Sequence, residues 1–358
     1  MHNTECSARY SSRRPARART TCPPIRSSTG IRLKKAVMKV FVFEFVTGGG
    51  YAGQALPGFL GDAELMWRAL VDDLIALPGM EVLTLRDARL AIPEQPGLTV
   101  VATDAARCRS DFMRCLDAAD AAWMVAPESG GLLESLNRQV EAAGKWLLGC
   151  RPDAVHIAAS KHATAARLAG AGMTTVPTFA TPDLLTGAVV AKPDDGVSCE
   201  DTLLFADAAA AQAWHDTHPR AMHVFQPYVA GESLSLSLLC CDGQAQLLSV
   251  NRQHVGLAGD HFEFHGVTVN ALGDGDGRYA ALAARVAAAI PGLWGYVGVD
   301  LIAGAFGPMV LEVNPRATVS YAGLRAALDC NPAQHVLALP EMRPCRGLRP
   351  VTLEMAHV

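Results

Sequence analysis

The segment Gly295–Gly323, GYVGVDLIAGAFGPMVLEVNPRATVSYAG, constrains this chain most, because it places acids on two short apolar runs that must fold as neighbours. Tyr296–Ala303 and Met309–Asn314 read as strands, with Gly304, Gly307 and Pro308 forming the turn between them. A hairpin centred on Phe306 sets Asp300 opposite Glu312, and Asn314 follows Glu312 on the same face because side chains alternate along a strand. Facing carboxylates repel and weaken a sheet unless a cation lies between them. Neither strand carries Lys or Arg. A hard divalent ion held by oxygen is the natural partner, with Asp300, Glu312 and Asn314 as its ligands. The alternative is a solvated hairpin face. It fits poorly with Val297, Val299, Leu301, Ile302, Val310, Leu311 and Val313, which read as buried on both sides, and a buried carboxylate without a partner is costly.

Upstream, a chain of 358 residues that is 50% hydrophobic has material for two or three domains. Lys39–Val46 is an apolar strand that runs into Thr47, three glycines and Tyr51, before a helical stretch over Ala63–Leu77. An α/β domain opens in this way, and the loop at the carboxyl end of its strand often meets ligand; a glycine turn with a purely backbone role is the equal alternative. Strands at Glu81–Leu85, Thr99–Ala102, Ala121–Ala126 and Lys145–Leu148 alternate with helical segments, which predicts a parallel sheet with covered faces. In the turn Pro127–Gly131, Glu128 either touches a substrate amine or caps the following helix.

From residue 151 the texture changes. Lys161 sits at the start of a helix over Ser160–Leu168, and Lys192 ends the strand Ala188–Lys192 before Pro193, Asp194, Asp195 and Gly196. Singly, each lysine reads as a surface charge. Their joint position ahead of the acidic hairpin makes them candidates to meet phosphate. The run His223–Val229 reads as a linker between two small sheets whose backbone can pair with a flat heterocycle, Glu232 suits a ribose diol, and Arg252 suits a phosphate or carboxylate. His261, Glu263 and His265 would share a strand face, but three ligands at period two rarely close a zinc tetrahedron. That stretch reads instead as a loop or strand edge near substrate, and an alanine-rich helix over Tyr279–Ile290 leads back to the hairpin.

Composition narrows the class. The ten cysteines form no CxxC pair, which fits a reducing, cytoplasmic setting, and no apolar run reaches the ~18 residues of a membrane helix. Residues 1–37 hold nine Lys or Arg and only Glu5. A transit peptide, a nucleic-acid arm and an upstream extension before Met38 all fit that balance; lacking apolar periodicity, the segment reads as a tail without a folded role, and no nucleic-acid or membrane partner is expected.

Lys161, Lys192, the Gln226 linker, Glu232, Asp300, Glu312, Asn314 and Arg316, in this order, resemble the ATP-grasp superfamily over about residues 151–330. The run EVNPR behind the upstream Val299-Asp300 is its most specific part. MKVFVFEFVTGGG, APESGG and LEVNPRATVSYAGL are similar, within that superfamily, to the tyramine-glutamate ligases of methanofuran biosynthesis. The resemblance implies a mixed α/β and α+β chain with the ATP-grasp fold: a Rossmann-like pre-ATP-grasp domain over 38–150 and two ATP-gripping subdomains over 151–225 and 226–358. It implies Lys161 and Lys192 on ATP phosphates, Gln226, Pro227, Tyr228 and Val229 on adenine, and Glu232 on ribose. Asp300, Glu312 and Asn314 would hold two magnesium or manganese ions, with Arg316 stabilising the transferred phosphoryl group. One departure is the phosphate-covering loop, usually richer in glycine, where Val197, Ser198 and Cys199 follow Gly196.

The implied chemistry transfers a γ-phosphoryl group to a carboxylate, and an amine attacks the acyl phosphate to give amide, ADP and phosphate. Positioning and charge neutralisation supply most of what this needs. The expected substrates are glutamate and an aromatic amine such as tyramine or tyrosine, or a further glutamate, in a pocket drawing on Thr47–Tyr51, Glu128, His261–His265 and Tyr321. Another ATP-grasp amino-acid or peptide ligase and a nucleotide-binding regulator without turnover are the alternatives, and a homodimer is left open.

Overall fold

The computed structural model describes residues 37–219, 222–305, 307–339 and 350–355, so the basic segment ahead of Val37 lies outside the described residues. The run MKVFVFE is apolar at almost every position, as a strand covered on both faces must be. It forms β1 (Met38–Glu44), followed by α1 (Leu60–Ile75), β2 (Met80–Asp87), β3 (Leu98–Thr103), α2 (Cys108–Ala118), β4 (Ala121–Val125), α3 (Leu132–Ala142) and β5 (Trp146–Leu147). The strands make one parallel sheet in the order β3-β2-β1-β4-β5. Alternation along β1 divides its side chains between two cores. Phe41 and Phe43 pack with Phe112 and Leu116 of α2, while Val40 and Val42 pack with Trp67, Leu70 and Leu74 of α1. The strand order reverses between β1 and β4, so their carboxyl ends flank the crevice where open α/β sheets meet ligand.

The β1 end of that crevice is a wide turn over Val46–Gly50. Gly49 has φ 96°, and a Cβ there would lie 2.8 Å from Thr103 Cγ2, so glycine is required twice over. Buried Glu44 holds the turn by accepting the backbone N–H groups of Val46 and Thr47 at 3.2 and 2.7 Å.

The second half begins with α4 (Pro152–Ala159) and α5 (Lys161–Gly170), parted at Ser160, whose Oγ caps α5 by accepting the Ala163 N–H. A small lobe follows: β6 (Val189–Pro193), β7 (Leu203–Phe205), α6 (Ala208–Thr217) and β8 (His223–Pro227) around a core of Leu185, Val189, Ala191, Ala211 and Phe225. The chain continues through β9 (Glu232–Cys241), β10 (Gln244–Ala258), β11 (His261–Leu272), α7 (Arg278–Ala289), β12 (Gly295–Gly304), β13 (Gly307–Asn314), α8 (Val319–Leu328), α9 (Pro332–Leu337) and β14 (Val351–Glu354). Helix α8 is a layer shared by both halves, since Tyr321 meets Trp123 of β4 and Tyr296 of β12 edge-on.

Three sequence expectations shift here. The linker after β8 does not join separate sheets, because one antiparallel sheet runs β13-β12-β9-β10-β11-β7-β6-β8, with β14 also on β11. Its continuity depends on a single ladder pair, His261 with Leu203. His261–His265 is consequently strand, not loop: His261–Phe264 pair with β10, and the register skips His265 at a bulge before Gly266. The division drawn at 225/226 falls inside β8, whose pairing to β6 extends to Pro227.

Candidate active site

β12 and β13 form the expected hairpin, with Asp300 paired to Glu312 and Gly298 to Asn314. The turn is one residue tighter than a loop centred on Phe306, a residue outside the described set: Gly304 pairs with Gly307 and Leu301 with Val310. A bulge at Leu311 absorbs the difference and restores the register that sets the acids face to face. Asp300 accepts a 3.2 Å hydrogen bond from Asn314 Nδ2 and a further one from the Gln253 side chain of β10.

The two acids are not equivalent. Burial and the facing Glu312 carboxylate push Asp300 well above the ordinary carboxylate range. Burial acts on Glu312 in the same sense, but the Lys161 and Lys192 ammonium groups outweigh it and hold Glu312 low, with Lys161 Nζ 3.3 Å from its Oε2. Burial lowers Lys192, opposed by the Glu312 charge. Three hard oxygen donors on adjacent strands, one of them a carboxylate that resists ionising alone, fit a divalent cation better than they fit each other.

α5 brings Lys161 here by its first turn, and β6 brings Lys192 from the small lobe; both are more than nine-tenths buried. Lys161 Nζ also donates to the carbonyl of Gly196 at 2.7 Å, drawing the loop after β6 over the acids. In that loop Ser198, Cys199 and Asp201 have φ of 55°, 60° and 49°. It therefore takes the left-handed backbone that glycine favours without the glycines. Burial pushes the Cys199 thiol up to about 11, which keeps it an un-ionised wall of the cleft.

Lys161, Lys192, Gln226, Pro227, Tyr228, Val229, Asp300, Glu312, Asn314 and Arg316 all line one cleft of about 360 Å³. Val190, Ile302 and Leu311 add an apolar wall beside the linker, as a flat ring requires. Within the linker, Gln226 donates to Thr178 Oγ1 at 2.8 Å and the Tyr228 N–H to the Ala188 carbonyl at 2.8 Å, so both shape the wall and neither donor points free. Glu232 is not among the lining residues: its carboxylate accepts from Arg252 Nε, at the cleft's edge beside Gly231 and Ser233, which do line it.

The expected substrate pocket is only partly assembled. Phe262 and Phe264 line the far end of the cleft with Val267, Val319 and Met66, while the intervening His261, Glu263 and His265 are exposed on the other face of β11. Neither Thr47–Tyr51 nor Tyr321 lines the cleft, and Tyr321 is a fully buried core residue. Glu128 neither caps a helix nor stands open to an amine: both oxygens face Arg316, whose Nη2 donates to Oε2 at 3.0 Å while Nε lies 3.0 Å from Oε1. Nothing in the sequence pointed to Gln253 as a partner of Asp300, because the two meet only across the sheet, with β9 between β10 and β12.

Comparison with known proteins agrees with this architecture. Residues 158–320 match the ATP-grasp domain and residues 80–155 the pre ATP-grasp 3 domain, together more than half of the chain. A tyramine–L-glutamate ligase of Methanocaldococcus jannaschii is 31% identical over 206 residues, 58% of this chain and 58% of that one. A second, from Methanocaldococcus fervens, is 25% identical over 290 residues, 80% of this chain and 89% of the relative. The aligned stretch thus spans under two thirds of the first relative's length. Among solved structures, an ATP-grasp superfamily protein from Archaeoglobus fulgidus superposes with TM-score 0.70 at 21% identity, covering 88% of this chain and 92% of that chain. An L-amino acid ligase from Bacillus licheniformis gives 0.61 at 17% identity, over 85% and 74%. With a pre-ATP-grasp domain leading into paired lysines, linker and acidic hairpin around one cleft, the chain belongs to the ATP-grasp family.

Proposed function

We propose that this protein is an ATP-dependent carboxylate–amine ligase that joins glutamate to tyramine or a related aromatic amine, in assembly of a methanofuran-type cofactor. The observation that carries the reading is the convergence of Asp300, Glu312, Asn314, Lys161, Lys192 and Arg316 on one cleft, with Lys161 Nζ 3.3 Å from Glu312 Oε2. The relatives named tyramine–L-glutamate ligase supply the substrate class. The aromatic lining by Phe262 and Phe264 is consistent with it.

In this reading ATP, with two magnesium or manganese ions, supplies the γ-phosphoryl group that turns a poor acyl donor into an acyl phosphate. Asp300, Glu312 and Asn314 would hold the ions, Lys161 and Lys192 would neutralise phosphate oxygens, and Arg316 would meet the charge that builds on the transferred group. Gln226, Pro227, Tyr228 and Val229 form the adenine wall, and Glu232 binds ribose after exchanging Arg252 for it. Lys161 Nζ lies 3.3 Å from Glu312 Oε2, so a bound ion would compete with it for that carboxylate. The enzyme acts in the cytoplasm on small molecules, and its working parts are 38–150 and two ATP-gripping subdomains, 151–225 and 226–358, that meet within β8 rather than at a linker.

The test is purified protein with ATP, magnesium, glutamate and a panel of amines and amino acids, read by ADP release and product mass. A glutamyl-tyramine mass supports the proposal. A dipeptide mass moves it to a different ligase, and nucleotide binding without any ADP would leave a regulator. Glu312→Ala is expected to abolish turnover with the fold retained, and retained turnover would sink the metal assignment.

A further inference from the structure

The turn Pro127–Gly131 belongs to the amino-terminal domain, yet its polar groups are engaged by the catalytic half. Glu128 is 5% exposed and meets Arg316, 188 residues away in sequence, in a two-point ion pair. Ser129 Oγ donates to the Asp195 carbonyl at 2.7 Å, and the Gly130 N–H donates to Asp195 Oδ2 at 2.8 Å. Gly130 and Gly131 have φ of 62° and 68°, and no atom lies within 4 Å of where a Cβ of either would stand. Glycine is needed here for the backbone turn that aims the amide at Asp195, not for space. Asp195 opens the loop that Lys161 grips from the opposite side at Gly196.

We propose that this turn is a positioning element for the site: Glu128 orients Arg316, while Ser129 and Gly130 clasp Asp195 and hold the loop 194–202 over the two lysines. Arg316 rises from the end of β13 on a long flexible stem. A buried carboxylate that accepts from Nη2 and lies 3.0 Å from Nε removes much of that freedom before substrate arrives, so little reorganisation is left for the reaction step. Because one five-residue turn holds both the arginine and the loop, Arg316 is aligned by the same rigid element that records whether the loop is closed. Glu128 touches neither phosphate nor acyl carbon in this arrangement; it acts through Arg316.

The kinetic half rests on the ligase reading, so the test has a second arm that does not. In the full-length chain, Glu128→Gln is expected to lower kcat by about ten- to a hundredfold with KM for ATP changed less than about twofold, and Glu128→Asp to restore part of the loss. Asp195→Ala is expected to raise hydrogen exchange of the segment 194–202 by about fivefold or more while the melting temperature stays put. Undiminished kcat in Glu128→Gln, or a rise in KM for ATP in step with a fallen melting temperature, overturns the positioning role of Glu128. Unchanged exchange in Asp195→Ala overturns the clasp. If wild-type protein turns over no acid and amine, the ligase reading falls, and the exchange arm still decides the clasp by itself.

Discussion

Replacing Lys161 by Met isolates the charge balance on which the acidic hairpin depends. Lys161 Nζ stands 3.3 Å from Glu312 Oε2, with side-chain exposures of 7% and 23%. At an effective dielectric constant of ~20, opposite unit charges at that distance attract by about 5 kcal/mol. Breaking one side of a buried pair costs about 3–5 kcal/mol, because the remaining charge stays desolvated. Two features reduce this: Lys192 still faces Glu312, and Asp300 is easily kept protonated. Methionine keeps most of the stem volume, so packing changes little. The expected loss is about 3 kcal/mol, read as a melting temperature lower by about 4 °C in metal-free buffer at neutral pH. The pH dependence has a defined sign. Glu312 is held below its ordinary 4.5, so its contribution is complete above that value and fades as pH falls toward about 2. Without Lys161 the fading begins at higher pH. Magnesium, offering the same neutralisation, should raise the variant's melting temperature more than the wild type's. A variant that melts within about 1 °C of wild type, with the same response to magnesium, would refute the reasoning.

Other outcomes follow from the same structure. Burial raises Glu44 from 4.5 to about 6, so ionisation costs the folded state about 2 kcal/mol and stability falls as pH climbs between those values; Glu44→Gln should lack that step when melting temperature is followed from pH 4 to 7. Trp67, fully buried with its Nε1 donating to Thr84 Oγ1 at 3.0 Å, should cost about 3–5 kcal/mol when changed to Ala, measured by urea unfolding. Arg252→Ala releases Glu232 and should lower KM for ATP, whereas Glu232→Gln should raise it about tenfold at unchanged kcat. An unmoved KM in both would remove Glu232 from the ribose contact.

Much of this was legible in the chain because its signals are local. The pairing of Asp300 with Glu312 followed from two strand patterns and a glycine turn, and the switch-point loops after β1 and β4 followed from apolar runs that end in glycine. What stayed hidden depends on contacts between distant segments. Glu128 had two local readings, and the observed one required Arg316 to arrive from 188 residues away. Glu232 reads as an available acid until β10 places Arg252 beside it. The bulge at Leu311 is a third case: a one-residue offset leaves no mark in composition, and the expected acid pair survives because the tighter turn and the bulge cancel. Tyr321 looked like a pocket residue by its place after EVNPR, yet helix periodicity turns it toward Trp123 and Tyr296.

The single ladder pair between Leu203 and His261 has a calorimetric consequence. Among the described residues the small lobe has its own small core of Leu185, Val189, Ala191, Ala211 and Phe225, whereas α8 fuses the rest around larger cores. Lys192 rides on that lobe, and Asp300 sits on the other body. A molecule that binds both bridges two cooperative units that the polypeptide joins weakly. Nucleotide with magnesium should therefore do more than shift a melting curve: a low-temperature shoulder from the lobe should merge into the main endotherm as the ligand becomes the strongest cross-link between them.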